Sequence, residues 1–116
     1  MGRFCVFCGI VNGEVETQKI LESKNFFVIL DNNPKAEMHS LIIPKKHFAT
    51  FLDLPKELYK ECLETTRKAI ELISKKTRSR AFNLLLNNLP EAGQVVEHLH
   101  LHIIPRKKGD EVNIYY

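Results

Sequence analysis

His98-Leu99-His100-Leu101-His102-Ile103-Ile104 is the stretch on which the reading of this chain turns. Three histidines alternate strictly with apolar residues. Strand side chains alternate between faces, so a strand over residues 96–104, closed by Pro105, sets three imidazoles on one face and turns Leu99, Leu101 and Ile103 toward a core. Imidazole positions on that face stand roughly 6.5–7 Å apart. Histidine titrates near neutrality and can attack, donate a proton or bind metal. A neutral imidazole nitrogen can displace a leaving group from phosphorus, giving a phosphohistidine. A neighbouring imidazole can protonate the leaving group or neutralise phosphate charge. Two plainer readings compete. The histidines can be structurally satisfied, or they can form a metal site, although only two at i, i+2 chelate one ion easily.

Working outward, Phe82 to Asn87 reads as the preceding strand, and residues 88–94, with Pro90 and Gly93, as a loop. Further back, Leu58, Cys62, Thr65, Ala69 and Ile73 recur at steps of four and three, which predicts one long helix over 55–76 with one buried side. Pro55 suits its first turn and Lys75-Lys76 complement its dipole. Three earlier strands are expected at 19–22, 26–30 and 40–43, with Ser23-Lys24-Asn25 as a hairpin turn, Asp31-Asn32-Asn33-Pro34 as a polar loop and Pro44 as a stop. Residues 5–11 form a short apolar segment ended by Asn12-Gly13. Strands, one helix, then strands predict an α+β fold with an antiparallel sheet of about five strands. Cys5-Val6-Phe7-Cys8 has the C-x-x-C spacing that lets two thiolates grip one ion. A redox pair and plain core burial are the alternatives, but a redox pair usually opens a helix after a strand, and nothing strand-like precedes Cys5.

Composition bounds the function. The chain has 116 residues, enough for one domain, 1–116, with one core. A net charge of +3 without a dense Lys/Arg block fits an anionic small ligand and argues against nucleic acid. No apolar run approaches a membrane span, and the opening Met1-Gly2-Arg3-Phe4-Cys5 lacks a secretory apolar stretch. An odd cysteine count of 3 is unlike a disulfide scaffold and predicts a reducing, cytoplasmic setting.

The 98–104 stretch matches the signature His-φ-His-φ-His-φ-φ, with φ apolar, and the chain resembles the histidine triad (HIT) family. Cys5-Val6-Phe7-Cys8-Gly9-Ile10-Val11-Asn12-Gly13-Glu14 is similar to the opening of its microbial members. His39-Ser40-Leu41-Ile42-Ile43-Pro44-Lys45-Lys46-His47 is similar to their central strand and loop, and Asn87 with Pro90-Glu91-Ala92-Gly93-Gln94 to the loop before the triad. The resemblance spans roughly positions 5–108, with no large gap.

That resemblance implies a HIT-like fold with one long helix and a short N-terminal helix. It implies a site that binds purine nucleotides and cleaves at the α-phosphorus. His100 would be the nucleophile, His102 would face the phosphate and leaving group, and His39 would line the same site. Asp31 and Asn32 would hold the ribose hydroxyls, although Asp-Asn-Asn-Pro also makes a turn unaided. Phe7, Ile10 and Ile29 would wall the base; as bare sequence they are core residues. Asn87, Gly93 and Gln94 would meet the phosphate, partly through backbone N–H groups. The resemblance further implies a structural zinc on Cys5, Cys8, His47 and His98, no organic cofactor, and a homodimer built on the long helix and a strand. Leu63, Ile70 and Leu72, beyond the buried helical stripe, hint at the dimer.

Val95 departs from the family pattern, which often has Ser or Thr after Gln94. The missing hydroxyl removes one phosphate donor, a loss of roughly 2.7–4 kcal/mol where such a donor is preorganised. The expected function is a hydrolase or transferase acting on nucleoside phosphoramidates or dinucleoside polyphosphates. The alternative is a nucleotide-binding sensor or adaptor with little turnover, which Val95 favours and the intact His39, His100 and His102 oppose.

Overall fold

A computed structural model describes residues 5–114, so the Met1–Phe4 opening lies outside the described residues. The elements run α1 (Val6–Val11), β1 (Lys19–Glu22), β2 (Phe26–Leu30), β3 (Ser40–Pro44), α2 (Tyr59–Thr77), β4 (Ala81–Leu86) and β5 (Leu101–Arg106). The five strands form one antiparallel sheet in the order β1-β2-β3-β5-β4. This is the α+β arrangement expected.

The sheet is covered on both faces at its centre, which explains why β2 and β3 read as continuous apolar runs rather than alternating ones. Phe26, Val28, Ile42, Leu99 and Ile103 pack with Cys62, Ala69 and Ile73 of α2. Phe27, Ile29, Leu41 and Ile43 face the other way and pack with Phe7 and Ile10 of α1. α1 covers only part of that second face, and the uncovered part becomes the cleft. α1 has six residues, too short to persist alone, and Cys5 caps it by accepting the Cys8 N–H at 3.4 Å. On the opposite face Glu61 anchors α2 to the β1–β2 turn. Its carboxylate accepts from the Ser23 hydroxyl at 2.6 Å, the Asn25 N–H at 2.6 Å and the Asn25 side-chain amide at 2.7 Å.

Several boundaries differ from expectation: β3 includes Pro44, which pairs with Phe26, and β5 runs through Pro105, which pairs with Phe82, to Arg106, because each proline keeps its carbonyl for the neighbouring strand. The first turn of the long helix is a separate 3-10 turn at Lys56–Leu58, closed by the Leu58 N–H on the Pro55 carbonyl. β4 spans 81–86, leaving Asn87 outside it. The largest difference is β5, which starts at Leu101 and not at residue 96, so His98 and His100 precede the strand. The physical reason is Pro44. β3 and β5 pair Ser40–Ile42 with Leu101–Ile103, and carrying that register on would set Pro44 opposite Leu99. Proline has no N–H to extend a ladder. The backbone instead turns tightly, with the His98 N–H on the Val96 carbonyl, and the Leu99 N–H bonds the Phe48 carbonyl.

Candidate active site and metal centre

Although only His102 belongs to the ladder, the triad side chains stay on the side away from α2, and Leu99, Leu101 and Ile103 pack toward it. The rings lean together. His100 and His102 have centroids 5.0 Å apart, closer than the strand repeat expected above, and His102 and His39 are 5.2 Å apart. All three are buried. Burial, before any charge, holds His39 and His100 below the ordinary imidazole value. It pushes His102 down to about 4, with His100 and His39 adding to the effect.

Hydrogen bonds then decide which nitrogen of each ring carries the proton. The His98 carbonyl lies 2.7 Å from His100 Nδ1 and can only accept, so Nδ1–H donates and the His100 Nε2 keeps its lone pair. The Lys35 N–H donates to His39 Nδ1 at 3.0 Å. His39 therefore carries its proton on Nε2 and donates it to His102 Nδ1 at 2.9 Å. His102 in turn holds its own proton on Nε2. One backbone amide thus sets a directional chain, Lys35 to His39 to His102. Asp31 flanks it, with its Oδ2 3.4 Å from His39 Nε2 and its Oδ1 accepting the Asn33 N–H at 2.9 Å.

These groups border an open cleft of about 450 Å³. Of the residues expected there, Phe7, Ile10, Ile29, Asp31, Asn32, Gly93, Val95, His100 and His102 line it. The apolar group and the polar group lie along one depression, as a base and a phosphate require. His39 stands behind His102. Asn87 is half-buried and does not line the cleft. The Gln94 side chain is structural: it accepts the Leu89 N–H at 2.6 Å and donates to the Ala49 carbonyl at 2.7 Å. The Gly93 and Gln94 N–H groups turn back onto the Pro90 and Leu89 carbonyls, so the expected backbone cradle is not offered by those two donors. Gly93 has φ +95°, the left-handed value that favours glycine, which lets the 3-10 turn at Pro90–Ala92 close. Sequence reading missed Lys35, Glu16, Thr17 and Val96, which also line the cleft. Nothing in a lone lysine after a polar loop marks it; only the return of β3 beside β5 brings it in.

At the other end of the row, Cys5, Cys8, His47 and His98 converge, each offering one donor atom within 4.8 Å of the others. Cys5 Sγ lies 3.3 Å and Cys8 Sγ 3.6 Å from His98 Nδ1, and Cys8 Sγ lies 3.2 Å from His47 Nδ1. A tetrahedral zinc with bonds of about 2.3 Å to sulfur and about 2.0 Å to nitrogen has S···N edges of roughly 3.5 Å. His98 Nε2–H donates to the Pro44 carbonyl at 2.8 Å, which leaves Nδ1 as the donor and holds the ring in place, as ligating histidines require. Burial, and then the neighbouring Cys5, push the Cys8 thiol up to about 11, an unfavourable setting for thiolate that a dication reverses. The donor set, spacing and protonation all fit the metal. Asp31, His39 and His102 also converge, but His39 Nδ1 accepts from Lys35, so its Nε2 bears the proton and cannot ligate. Phe7, carried between the two cysteines, stands edge-on to both His98 at 5.5 Å and His100 at 5.2 Å.

Comparison with known proteins defines the class. A family model described as the HIT domain matches residues 12–109, and the chain belongs to that family. Adenylylsulfatase HINT3 of Arabidopsis thaliana is 44% identical over 106 residues, covering 91% of this chain and 54% of that protein, so this chain spans about half of it. Adenosine 5'-monophosphoramidase HNT1 of Candida albicans is 36% identical over 107 residues, covering 89% of this chain and 70% of that protein. The solved structure of a Zn-bound histidine triad family protein from Mycobacterium smegmatis superposes with a TM-score of 0.83 at 34% identity, over 96% of this chain and 81% of that one.

Proposed function

We propose that this chain is a nucleotide hydrolase or transferase that cleaves at the α-phosphorus of purine nucleotides through a nucleotidylated His100. The observation that carries the reading is the bond from His100 Nδ1–H to the His98 carbonyl, which leaves Nε2 unprotonated on a side chain lining the cleft. The Nε2 lone pair attacks phosphorus, a P–N bond forms, and the bond to the leaving group breaks with its electron pair on the departing atom. His102, oriented by His39, presents Nε2–H to the leaving group. Water then attacks the phosphorus and gives its proton to His102 Nε2, or to solvent where the leaving group took none, the P–N bond breaks with its pair on His100 Nε2, and AMP departs. Asp31 accepts from the ribose hydroxyls, Asn32 flanks them, and Phe7, Ile10 and Ile29 hold the base. Adenylylsulfate and nucleoside phosphoramidates enter as candidate substrates from the names of the relatives.

Cys5, Cys8, His47 and His98 would hold a structural zinc. With four protein ligands and no open position, the ion would supply folding energy and no chemistry on the substrate. Its thiolates suit a reducing, cytoplasmic setting.

The test is His100→Ala. AMP release from AMP phosphoramidate, adenylylsulfate and diadenosine polyphosphates should fall by about a thousandfold or more, while AMP still binds. Quenched wild-type reactions should show a mass adduct of AMP on the peptide carrying His100. A variant that keeps a substantial fraction of turnover sinks the covalent route. A second reading, a nucleotide sensor with slow turnover, draws on Val95, which is 83% exposed and lines the cleft without a hydroxyl. Nucleotide binding without wild-type AMP release would select it.

A further inference from the structure

We propose that Glu16 reads the purine: its carboxylate, at the rim of the apolar end of the cleft, selects guanine nucleotides over adenine nucleotides. The inference rests on the reading of the cleft as a nucleotide site, and it names the base that the reading leaves open.

The cleft has two ends. At one, Asp31 and Lys35 are shared with an adjoining hollow that reaches His39. At the other, Ile10, Val15, Glu16 and Thr17 are shared with a second hollow that reaches Gly13 and Lys19 instead. Glu16 therefore stands at the end away from Asp31 and the His102–His39 pair. Its segment is pinned to α1. The Glu14 and Val15 N–H groups both donate to the Gly9 carbonyl, at 2.8 and 3.1 Å, and Val15 packs against the cluster of Phe7, Ile10 and Ile29.

The shape of a nucleotide then orients the base. With the ribose at Asp31 and the base against Phe7, Ile10 and Ile29, the glycosidic nitrogen faces Asp31. The six-membered ring of a purine projects the other way and carries its polar edge toward the Val15–Thr17 rim. Apolar side chains cannot satisfy that edge, and polar atoms left unmet are costly, so the rim group that meets them decides which base binds.

Glu16 suits one purine. A carboxylate only accepts. The guanine N1–H and 2-amino group are adjacent donors, and they match the two carboxylate oxygens as a bidentate pair. Adenine sets its 6-amino donor beside N1, whose lone pair would face the carboxylate. The Thr17 hydroxyl donates or accepts and so serves either base. Among the described residues the Glu16 carboxylate makes no hydrogen bond or ion pair. The next lysine along the chain, Lys19, is directed to Glu22 at 3.7 Å and lies over the Phe27 ring at 5.6 Å. Glu16 is exposed, so the discrimination belongs at the low end for a bidentate pair, about tenfold.

The experiment measures Kd by calorimetry for AMP, GMP and IMP on wild type, Glu16→Ala and Glu16→Gln. IMP keeps the N1–H and lacks the 2-amino group. Wild type should bind GMP about tenfold tighter than AMP, with IMP between them. Glu16→Ala should bring the three nucleotides close together. Glu16→Gln, whose amide both accepts and donates, should move the preference to AMP. A wild type that binds AMP as well as GMP, a ratio unmoved in both variants, or the parallel loss on all three nucleotides that a structural role would give, overturns the proposal. His100-dependent AMP release would then still stand for the functional reading. Failure of wild type to bind any of the three removes both.

Discussion

His102 shows how one residue's setting determines its chemistry. Its ring sits under Leu41 in the β3–β5 ladder register, accepts from His39 and lies against His100. Burial and those neighbours lower its pKa from 6.5 to about 4. In the unfolded chain the same ring takes a proton near pH 6.5. As the pH falls from about 6.5 to about 4, the unfolded state therefore binds a proton that the folded state refuses, and stability drops. Above 6.5 both states are neutral and the effect vanishes; below about 4 both are charged and the loss levels off. For a fall from 6.5 to about 4, the loss is on the order of 3 kcal/mol from this ring alone. Urea midpoints measured from pH 8 to 4.5 should decline over that window, and His102→Gln should flatten the decline. Equal slopes in the two proteins would show that burial does not perturb this histidine.

α1 is where an element too short to stand alone is held in place by side chains from elsewhere in the chain. Its cap, Cys5, and its first-turn Cys8 reach His98 before β5 and His47 after β3, so the Cys/His cluster ties three separate segments together. Phe7 rides on the same turn and lines the cleft. Metal binding by ligands that the unfolded chain does not preassemble contributes directly to folding. Purified protein should carry about one zinc per chain. Cys5→Ser should lose the metal and melting temperature together, and wild type treated with chelator should reproduce the shift. Full stability after chelation would leave the four residues without a structural metal role.

On the scale of the whole molecule, β4 is a sheet edge, and edges with open ladder groups are sites of pairing. A groove of about 400 Å³ runs between β4 and α2, lined by Leu63, Thr66, Arg67, Ile70, Glu71 and Phe82. Leu63 is 70% exposed and Phe82 41% exposed, too apolar for a helix face and a strand meant for water. A second copy of the chain, placing the same helix and strand against this groove, is the proposed occupant. Equilibrium sedimentation at micromolar concentration should return a dimer, and Leu63→Glu with Phe82→Glu should return a folded monomer. A monomeric wild type would refute the assembly. Among the described residues no helix is long and apolar enough to cross a membrane.

Local pattern by itself settled β1 and β2, because polar turn residues bound them and their apolar runs are short. It also settled the buried stripe of α2, because a spacing of three and four leaves one face for Cys62, Thr65, Ala69 and Ile73. The alternation at 98–103 correctly separated the histidines from Leu99, Leu101 and Ile103, since side-chain alternation survives where the ladder does not. The start of β5 was not legible there, because it depends on a proline 57 residues earlier than Leu101 that cannot donate across the sheet. The structural use of the Gln94 side chain was not legible either, because only the folded loop brings its amide between Leu89 and Ala49. Lys35 was invisible for a similar reason: its place in the cleft comes from β3 lying beside β5. The protonated nitrogens of His98 and His102 likewise depend on remote segments, the Pro44 carbonyl for His98 and the His39 ring for His102, whereas that of His100 is set locally by the His98 carbonyl. Residue type and spacing choose the chemistry available, whereas the folded backbone, through local turns and remote contacts alike, decides which nitrogen carries the proton.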